Sequence, residues 1–430
     1  MRKTAITAPG HHLKEKHDNP KENTAFEALI KACAVKKDLY EGTRLHLHIR
    51  KRGLLEKNPY IATGLISMYA KCGVLGESHK VLEELSIRNI VTWNAVVSVY
   101  AQQGQCHEAF NCLERMQNEG FFPNALTFTC ILSVCGKARA IDRGKQIHER
   151  IIDSGLLEKD IVLGNSLVDM YAKCGLIAKA QQVLEDLPVR DMVSWNILIT
   201  RYAQGGRGHE ALNCFEQIQL EGLSPDAVTF ICTLKACASI GAIDKGKLIQ
   251  ADIVHRGLLK EDIMIGTSLI DMYAKCGFLA EAHQVLDELS LSVCNVVSWN
   301  ALIAGYVRKG QCNAALICFE RLKCEGFCPD TGTFISVLKA CGSMRFVHKG
   351  KEIHNEILNR GLVDKDIILG TALMDMYAKC GVPAEAQELA DGFLVHDTIT
   401  WNALIGGYIQ EGKSDEALNY FQRMRNEGFC

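Results

Sequence analysis

Nineteen cysteines and a His354-Asn355-Glu356 triplet are the residues of this sequence whose types and spacing bear on chemistry. An H-x-E triplet places a zinc-binding imidazole beside a proton-shuttling carboxylate, as in zinc nucleotide deaminases, which also need P-C-x-x-C to complete the metal site. The sequence contains no C-x-x-C. Sister positions read His148-Glu149-Arg150 and Gln250-Ala251-Asp252, so the triplet is drift within a repeat and no catalysis is expected from it. Cys324 and Cys328 form C-x-x-x-C with no accompanying ligand pair, so no metal is expected there either.

The other cysteines follow a different logic. Cys33, Cys135, Cys237 and Cys341 sit in KAC, SVC, KAC and KAC, while Cys72, Cys174, Cys276 and Cys380 each sit in AKCG. They read as repeat positions filled by a small apolar residue, which is how free cysteine behaves in a core. Free thiols in such numbers imply a reducing compartment. No cofactor is expected.

Composition bounds the rest. The chain has 430 residues, 48% of them apolar, so it can bury a large core, and only 8 are proline. Helix formers dominate, and no glycine-rich phosphate loop follows a credible strand. The formal charge of −2 argues against a grip on nucleic acid by bulk electrostatics, although charges on opposite faces of an elongated protein cancel in the sum. No apolar run approaches the 18 or so residues that cross a bilayer, so no membrane partner is expected. Residues 1–22 are polar and unpatterned and are expected to be a disordered lead-in. Glu15, Asp18 and Glu22 within them weaken a transit-peptide reading.

The elements that position these residues repeat. All four tryptophans lie in one context, VTWN, VSWN, VSWN and ITWN, at Trp93, Trp195, Trp299 and Trp401, spaced by 102, 104 and 102 residues. MYAKCG recurs from Met68, Met170, Met272 and Met376. Each block of about 102 residues divides into three related units, of 36, 31 and 35 residues over 125–160, 161–191 and 192–226. In the third, Trp195, Leu198, Ile199 and Tyr202 fall at i, i+3, i+4 and i+7, one face of a helix. Gly205, Gly206 and Gly208 break that helix. Ala211, Leu212, Phe215 and Ile218 form a second stripe, which Gly222 and Pro225 end. Each unit is thus a helical hairpin too small to hold its own core, and stacking completes it.

The expected fold is all-α: a right-handed α-solenoid superhelix of about twelve hairpins. The register gives repeats at 23–58, 59–89, 90–124, 125–160, 161–191, 192–226, 227–262, 263–295, 296–330, 331–366, 367–397 and 398–430. The repeat at 263–295 carries two extra residues near Leu291–Asn295, and the last stops two residues short, as though something followed it.

The 35-residue pattern V-T-W-N-x-L-I-x-x-Y…G-x-x-x-E-A-L-x-x-F-x-x-M-x-x-E-G-x-x-P-D resembles the pentatricopeptide repeat family, with its best matches at 90–124, 192–226, 296–330 and 398–430. The alternation of 36, 31 and 35 resembles the plant subclass with long, short and standard motifs. The resemblance covers residues 23–430. It implies an organellar protein, in mitochondrion or chloroplast, that binds single-stranded RNA and is not itself an enzyme. The subclass is associated with cytidine-to-uridine editing, which makes an editing deaminase or accessory editing factor a conceivable partner.

In that family two positions per repeat choose the base: the fifth residue, on the first helix, and the last, before the next repeat. Carried over, the pairs are Thr63 with Asn89, Asn94 with Asn124, Asn165 with Asp191, Asn196 with Asp226, Thr267 with Asn295, Asn300 with Asp330, and Thr371 with Asp397. Asn402 has no partner within the chain. A carboxylate only accepts, so it favours a base edge presenting N–H; asparagine can also donate. An Asp or Asn before a helix is equally the ordinary N-cap, but capping does not account for Asn or Thr at every one of these fifth positions. Long repeats carry Glu27, Thr129, Ile231 and Ile335 there, and isoleucine cannot hydrogen-bond a base. Two rivals remain: a tetratricopeptide-like peptide-binding scaffold, whose 34-residue period these lengths do not fit, and the targeting arm of a deaminase whose catalytic domain lies beyond Cys430. The tryptophans, on the apolar stripe, are expected in the core.

Overall fold

The computed structural model describes residues 20–289, 294–362, 366–391, 398–426 and 428. Among them every regular element is helical, mostly α-helices of 13 or 14 residues in pairs. The alternating repeat lengths have a physical origin. A standard repeat joins helices of 13 residues, such as Ile90–Gln102 and Cys106–Asn118. In a short repeat the second helix has 10 residues, as at Leu75–Glu84, Ile177–Asp186 and Leu279–Glu288. The long repeats beginning at 125, 227 and 331 open on a helix of 14, such as Ala125–Ala138, and two long repeats add a turn before their last residue, α-helical at Leu54–Lys57 and 3-10 at Leu258–Lys260. The first helix runs Pro20–Lys36, three residues ahead of the sequence boundary at 23. Proline is well placed to open it, since a first-turn N–H has no intrahelical partner anyway.

The chain divides into two compact units, residues 1–194 and 195–430. In the first, the first helices Pro20–Lys36, Pro59–Lys71, Ile90–Gln102, Ala125–Ala138 and Ile161–Lys173 pack side by side in chain order. The second helices Leu39–Lys51, Leu75–Glu84, Cys106–Asn118 and Ile141–Asp153 form another layer, each against its own hairpin partner and the first helix of the next repeat. The second unit repeats this from Ala227–Ile240 through Ile263–Cys276, Val296–Arg308, Thr331–Met344 and Ile367–Lys379 to Thr398–Gln410. This is an α-solenoid: each hairpin buries its apolar face only against its neighbours.

The recurring sequence phrases are the joints of that stack. Trp93, Trp195, Trp299 and Trp401 are buried, as the apolar periodicity predicts. Arg115, Arg321 and Arg423 of the second helices lie over three of those rings, at 5.7, 5.3 and 5.7 Å. The methionine of MYAKCG fits a glycine on the preceding long repeat. A Cβ on Gly42, Gly144 or Gly350 would stand 2.6, 2.6 or 2.5 Å from the sulfur of Met68, Met170 or Met376, closer than atoms can pack. Cys33, Cys135, Cys237 and Cys341 are buried and Cys72, Cys174, Cys276 and Cys380 half-buried. Burial pushes the thiols of Cys135, Cys237 and Cys341 up to about 12.

A histidine–tyrosine bond also joins neighbouring repeats. Nδ1 of His46, His148 and His354 lies 3.0, 2.9 and 2.9 Å from the hydroxyl of Tyr69, Tyr171 and Tyr377. At the equivalent place Gln250 takes the Tyr273 hydroxyl. Burial holds all three imidazoles below their ordinary pKa. The unfolded chain therefore binds protons that the folded one resists. Stability is full above the unfolded histidine value of about 6.5 and is lost as pH falls through the depressed folded values. The melting temperature should decline on acidification from pH 7 through about 5.5, and replacing the three histidines by glutamine should flatten that decline. An unchanged acid slope in the triple variant would place the titration elsewhere.

Candidate nucleic-acid interface

The side chain before each first helix is first of all a cap. Oδ1 of Asn124, Asp226 and Asp330 accepts the backbone N–H three residues on, at 3.1, 2.9 and 2.9 Å, and Thr127, Thr229 and Thr333 reciprocate to close capping boxes. Asn89 and Asp191 cap their helices in the same way, at 3.0 and 2.9 Å, and so does Asn295 at 3.0 Å. The capping expectation from sequence is therefore correct at these positions.

The same side chains also hold the fifth residues, between 26 and 30 positions earlier. Asn94 Nδ2 donates to Asn124 Oδ1 at 3.1 Å. Asn165 Nδ2 reaches both carboxylate oxygens of Asp191 at 3.1 and 3.3 Å. Asn196 does the same to Asp226 at 3.1 and 3.0 Å, and Asn300 reaches Asp330 at 2.9 Å. Four pairs singled out in the sequence are thus brought into direct contact by the hairpin fold. The threonines behave otherwise. Thr63, Thr267 and Thr371 turn their hydroxyls back onto backbone carbonyls of their own helices, at 3.0, 2.8 and 2.9 Å. Thr371's sequence partner Asp397 lies outside the described residues, and Asn402 is exposed on Thr398–Gln410.

Exposure differs within the pairs. Asn94 and Asn165 are only 5% and 7% exposed, whereas Asn124, Asp226 and Asp330 face solvent. The carboxylates are poised as acceptors. Burial pushes Asp191 and Asp330 up, but hydrogen bonds from Ser194 and Asn165, and from Thr333 and Asn300, outweigh it and hold both below the ordinary value. Depressed carboxyls stay ionised at every pH above about 4. In the long repeats Thr129, Ile231 and Ile335 are half-buried, while Asn58 Nδ2 meets Glu27 Oε1 at 3.3 Å, so the first long repeat also joins its fifth and last residues.

The chemistry-bearing residues set aside in the sequence are engaged in framework contacts. His354 is bonded to Tyr377, and Glu356 is ion-paired with Arg360 at 2.6 Å and Lys323 at 3.2 Å. No group of three or more His, Cys, Asp or Glu among the described residues is placed to hold a metal. No helix among them is long and apolar enough to cross a membrane. One feature the sequence reading missed is a Thr or Ser as third residue of the standard repeats and of the long repeats from 125 on, which recurs at Thr92, Thr127, Ser194, Thr229, Ser298 and Thr333 and is buried beside the pairs, whereas the short repeats carry Ile61, Leu163, Ile265 and Leu369 there.

Comparison with known proteins agrees with this geometry. The model of the PPR repeat family matches residues 88–137, 190–239 and 294–343, and the PPR repeat model matches 165–192, 267–292 and 399–429. A mitochondrial pentatricopeptide repeat-containing protein of Arabidopsis thaliana is 32% identical over 96% of the chain and 59% of its own length. A chloroplastic one from the same plant is 34% identical over 93% of the chain and 49% of its own length. The chain thus spans roughly half to three-fifths of these relatives. Among solved structures, the pentatricopeptide repeat protein PPR10 in complex with an 18-nt psaJ RNA element aligns over 94% of the chain and 69% of that protein, with a TM-score of 0.58 at 18% identity. That likeness concerns the fold. With family models matched in six places along an array of helical hairpins, the chain belongs to the pentatricopeptide repeat family.

Proposed function

We propose that this chain binds one single-stranded RNA, 5′ to 3′ parallel to the protein, reading about one base per repeat with the fifth and last residues. The observation that carries the reading is the side-chain pairing of Asn94, Asn165, Asn196 and Asn300 with Asn124, Asp191, Asp226 and Asp330. Capping commits Oδ1 of each last residue, so an aspartate has Oδ2 to offer a base and an asparagine has Nδ2. A fifth-position asparagine, with one N–H given to its partner, has one to donate. A fifth-position threonine, its hydrogen given to the backbone, can only accept.

These inventories match distinct Watson–Crick edges. Donor with acceptor suits uracil, O4 and N3–H. Acceptor with donor suits adenine, N6–H and N1. Two acceptors suit guanine, N1–H and N2–H, and two donors suit cytosine, N3 and O2. These assignments coincide with the code that the resemblance to the family implies. Long repeats being left open, the chain should select 5′-nAYnUUnAUnGY-3′. A selection against randomised single-stranded RNA tests it, and no enrichment over a scrambled control would end the proposal. The recovered pattern also separates RNA reading from a peptide-binding scaffold.

Lys173, Lys275 and Lys379 on the first helices are paired with Asp169, Asp271 and Asp375. With a formal charge of −2, affinity should come from bases more than phosphates. The slope of log affinity against log salt should therefore correspond to only a few released counterions, not the ten or so of a strongly basic binder. The long–short–standard alternation and organellar relatives favour an organellar site-recognition role in RNA processing or editing.

A further inference from the structure

We propose that the third residue of each standard repeat, and of the long repeats beginning at 125, 227 and 331, is a positioning residue for the base read by the repeat before it, and that threonine there holds the fifth-position asparagine whereas serine does not. The proposal rests on the base-reading function above. Thr127, Thr229 and Thr333 are fully buried. Their hydroxyls lie 2.6, 2.8 and 2.6 Å from Oδ1 of Asn94, Asn196 and Asn300, across 33 residues of chain, and 3.0, 2.9 and 3.0 Å from Oδ1 of Asn124, Asp226 and Asp330, so the one hydroxyl hydrogen goes to the nearer asparagine oxygen. Each of these asparagine amides is therefore held at both ends. Oδ1 accepts from the threonine, Nδ2 donates to the last residue, and the second Nδ2–H is left in a fixed direction.

The short repeat at 161–191 is the natural exception. Ser194 takes the equivalent place, but its hydroxyl lies 2.7 Å from Asp191 Oδ1 and 3.1 Å from Asp191 O. Asn165 Oδ1 is left buried with no hydrogen-bond partner. A serine lacks the γ-methyl that restricts threonine at χ1, so nothing keeps its oxygen turned toward the asparagine. A buried acceptor without a donor is costly to hold in place, so the Asn165 amide is anchored at its nitrogen end only. The third position also reaches across where the reader is threonine: Ser298 Oγ lies 2.7 Å from Thr267 Oγ1. Discrimination should accordingly be sharper at nucleotides facing Asn94, Asn196 and Asn300 than at the one facing Asn165.

Two substitutions in the full chain test this, with equilibrium binding to RNAs that differ at one nucleotide. Thr229→Val keeps the branched shape and removes the hydroxyl. It should lower the preference for uracil over cytosine at the sixth nucleotide by roughly three- to tenfold, the worth of one net hydrogen bond. The preference at the ninth nucleotide, read by Asn300 and Asp330, should stay as it was. Ser194→Thr adds the missing donor and should raise the uracil preference at the fifth nucleotide by a similar factor. A framework role alone would weaken all RNAs together and leave these ratios untouched, and that result overturns the proposal. So does a Ser194→Thr protein whose fifth-nucleotide preference does not rise. If the unaltered protein shows no base preference at the sixth nucleotide, the reading function fails first and this inference with it.

Discussion

Replacing Asn196 by threonine should move the base preferred at the sixth nucleotide from uracil to guanine and leave the other positions unchanged. Asn196 now donates to Asp226 and accepts from Thr229, which leaves one N–H for a base. A threonine at this place has a precedent in Thr267 and Thr371, which give their hydrogen to their own helices at 2.8 and 2.9 Å. Its oxygen would then only accept. Asp226 keeps its cap and offers Oδ2, also an acceptor, so the site would present two acceptors where it now presents a donor and an acceptor. Guanine answers with N1–H and N2–H; uracil does not. A mismatch at a specific nucleic-acid contact costs about 1–3 kcal/mol, or roughly five- to 150-fold in affinity. Competition between twelve-nucleotide RNAs with U or G at position six reads this directly. Equal weakening toward every RNA would make Asn196 a framework residue.

Much of this arrangement is legible in the sequence, for identifiable reasons. The tryptophan and MYAKCG spacings report burial, because a stacked hairpin needs the same large side chain at the same joint, and these residues are where the periodicity puts them. The last residues are legible as caps because Asn and Asp before an apolar run have one common structural use. What the sequence does not display is a contact between residues 94 and 124, or 196 and 226, since side-chain hydrogen bonds over that separation depend on how the second helix returns the chain. The commitment of Thr63, Thr267 and Thr371 to backbone carbonyls was equally hidden, and it is what turns threonine into an acceptor. The third-position Thr or Ser was visible as a recurrence, in VTWN and VSWN, but read only as part of the tryptophan's context. The shortened second helix of the 31-residue repeats could have been anticipated from length, but not assigned to that helix rather than to the loops.

Trp299→Ala should be the framework counterpart of the reading variant. Trp299 is fully buried, with Leu302 and Ile303 of its own helix buried alongside it and the Arg321 guanidinium 5.3 Å above its ring. Removing the indole leaves a large cavity and strips the arginine of its aromatic partner, a loss of about 3–5 kcal/mol for a buried aromatic. In a stack whose repeats are stabilised chiefly by their neighbours, that loss spreads to the adjoining interfaces. The denaturation midpoint should fall, and the repeat from Val296 should open before the rest. Asn300 is the next residue on the same helix, and its bond to Asp330 at 2.9 Å depends on that helix staying in place. RNA affinity should therefore decline for all sequences together as the binding-competent population shrinks, while the ratio of uracil to cytosine at the ninth nucleotide persists in what remains folded. Phenylalanine at the same position should recover most of the stability. A Trp299→Ala protein that keeps its denaturation midpoint but loses affinity for unpaired bases would mean that the indole stacks on RNA, contrary to its burial.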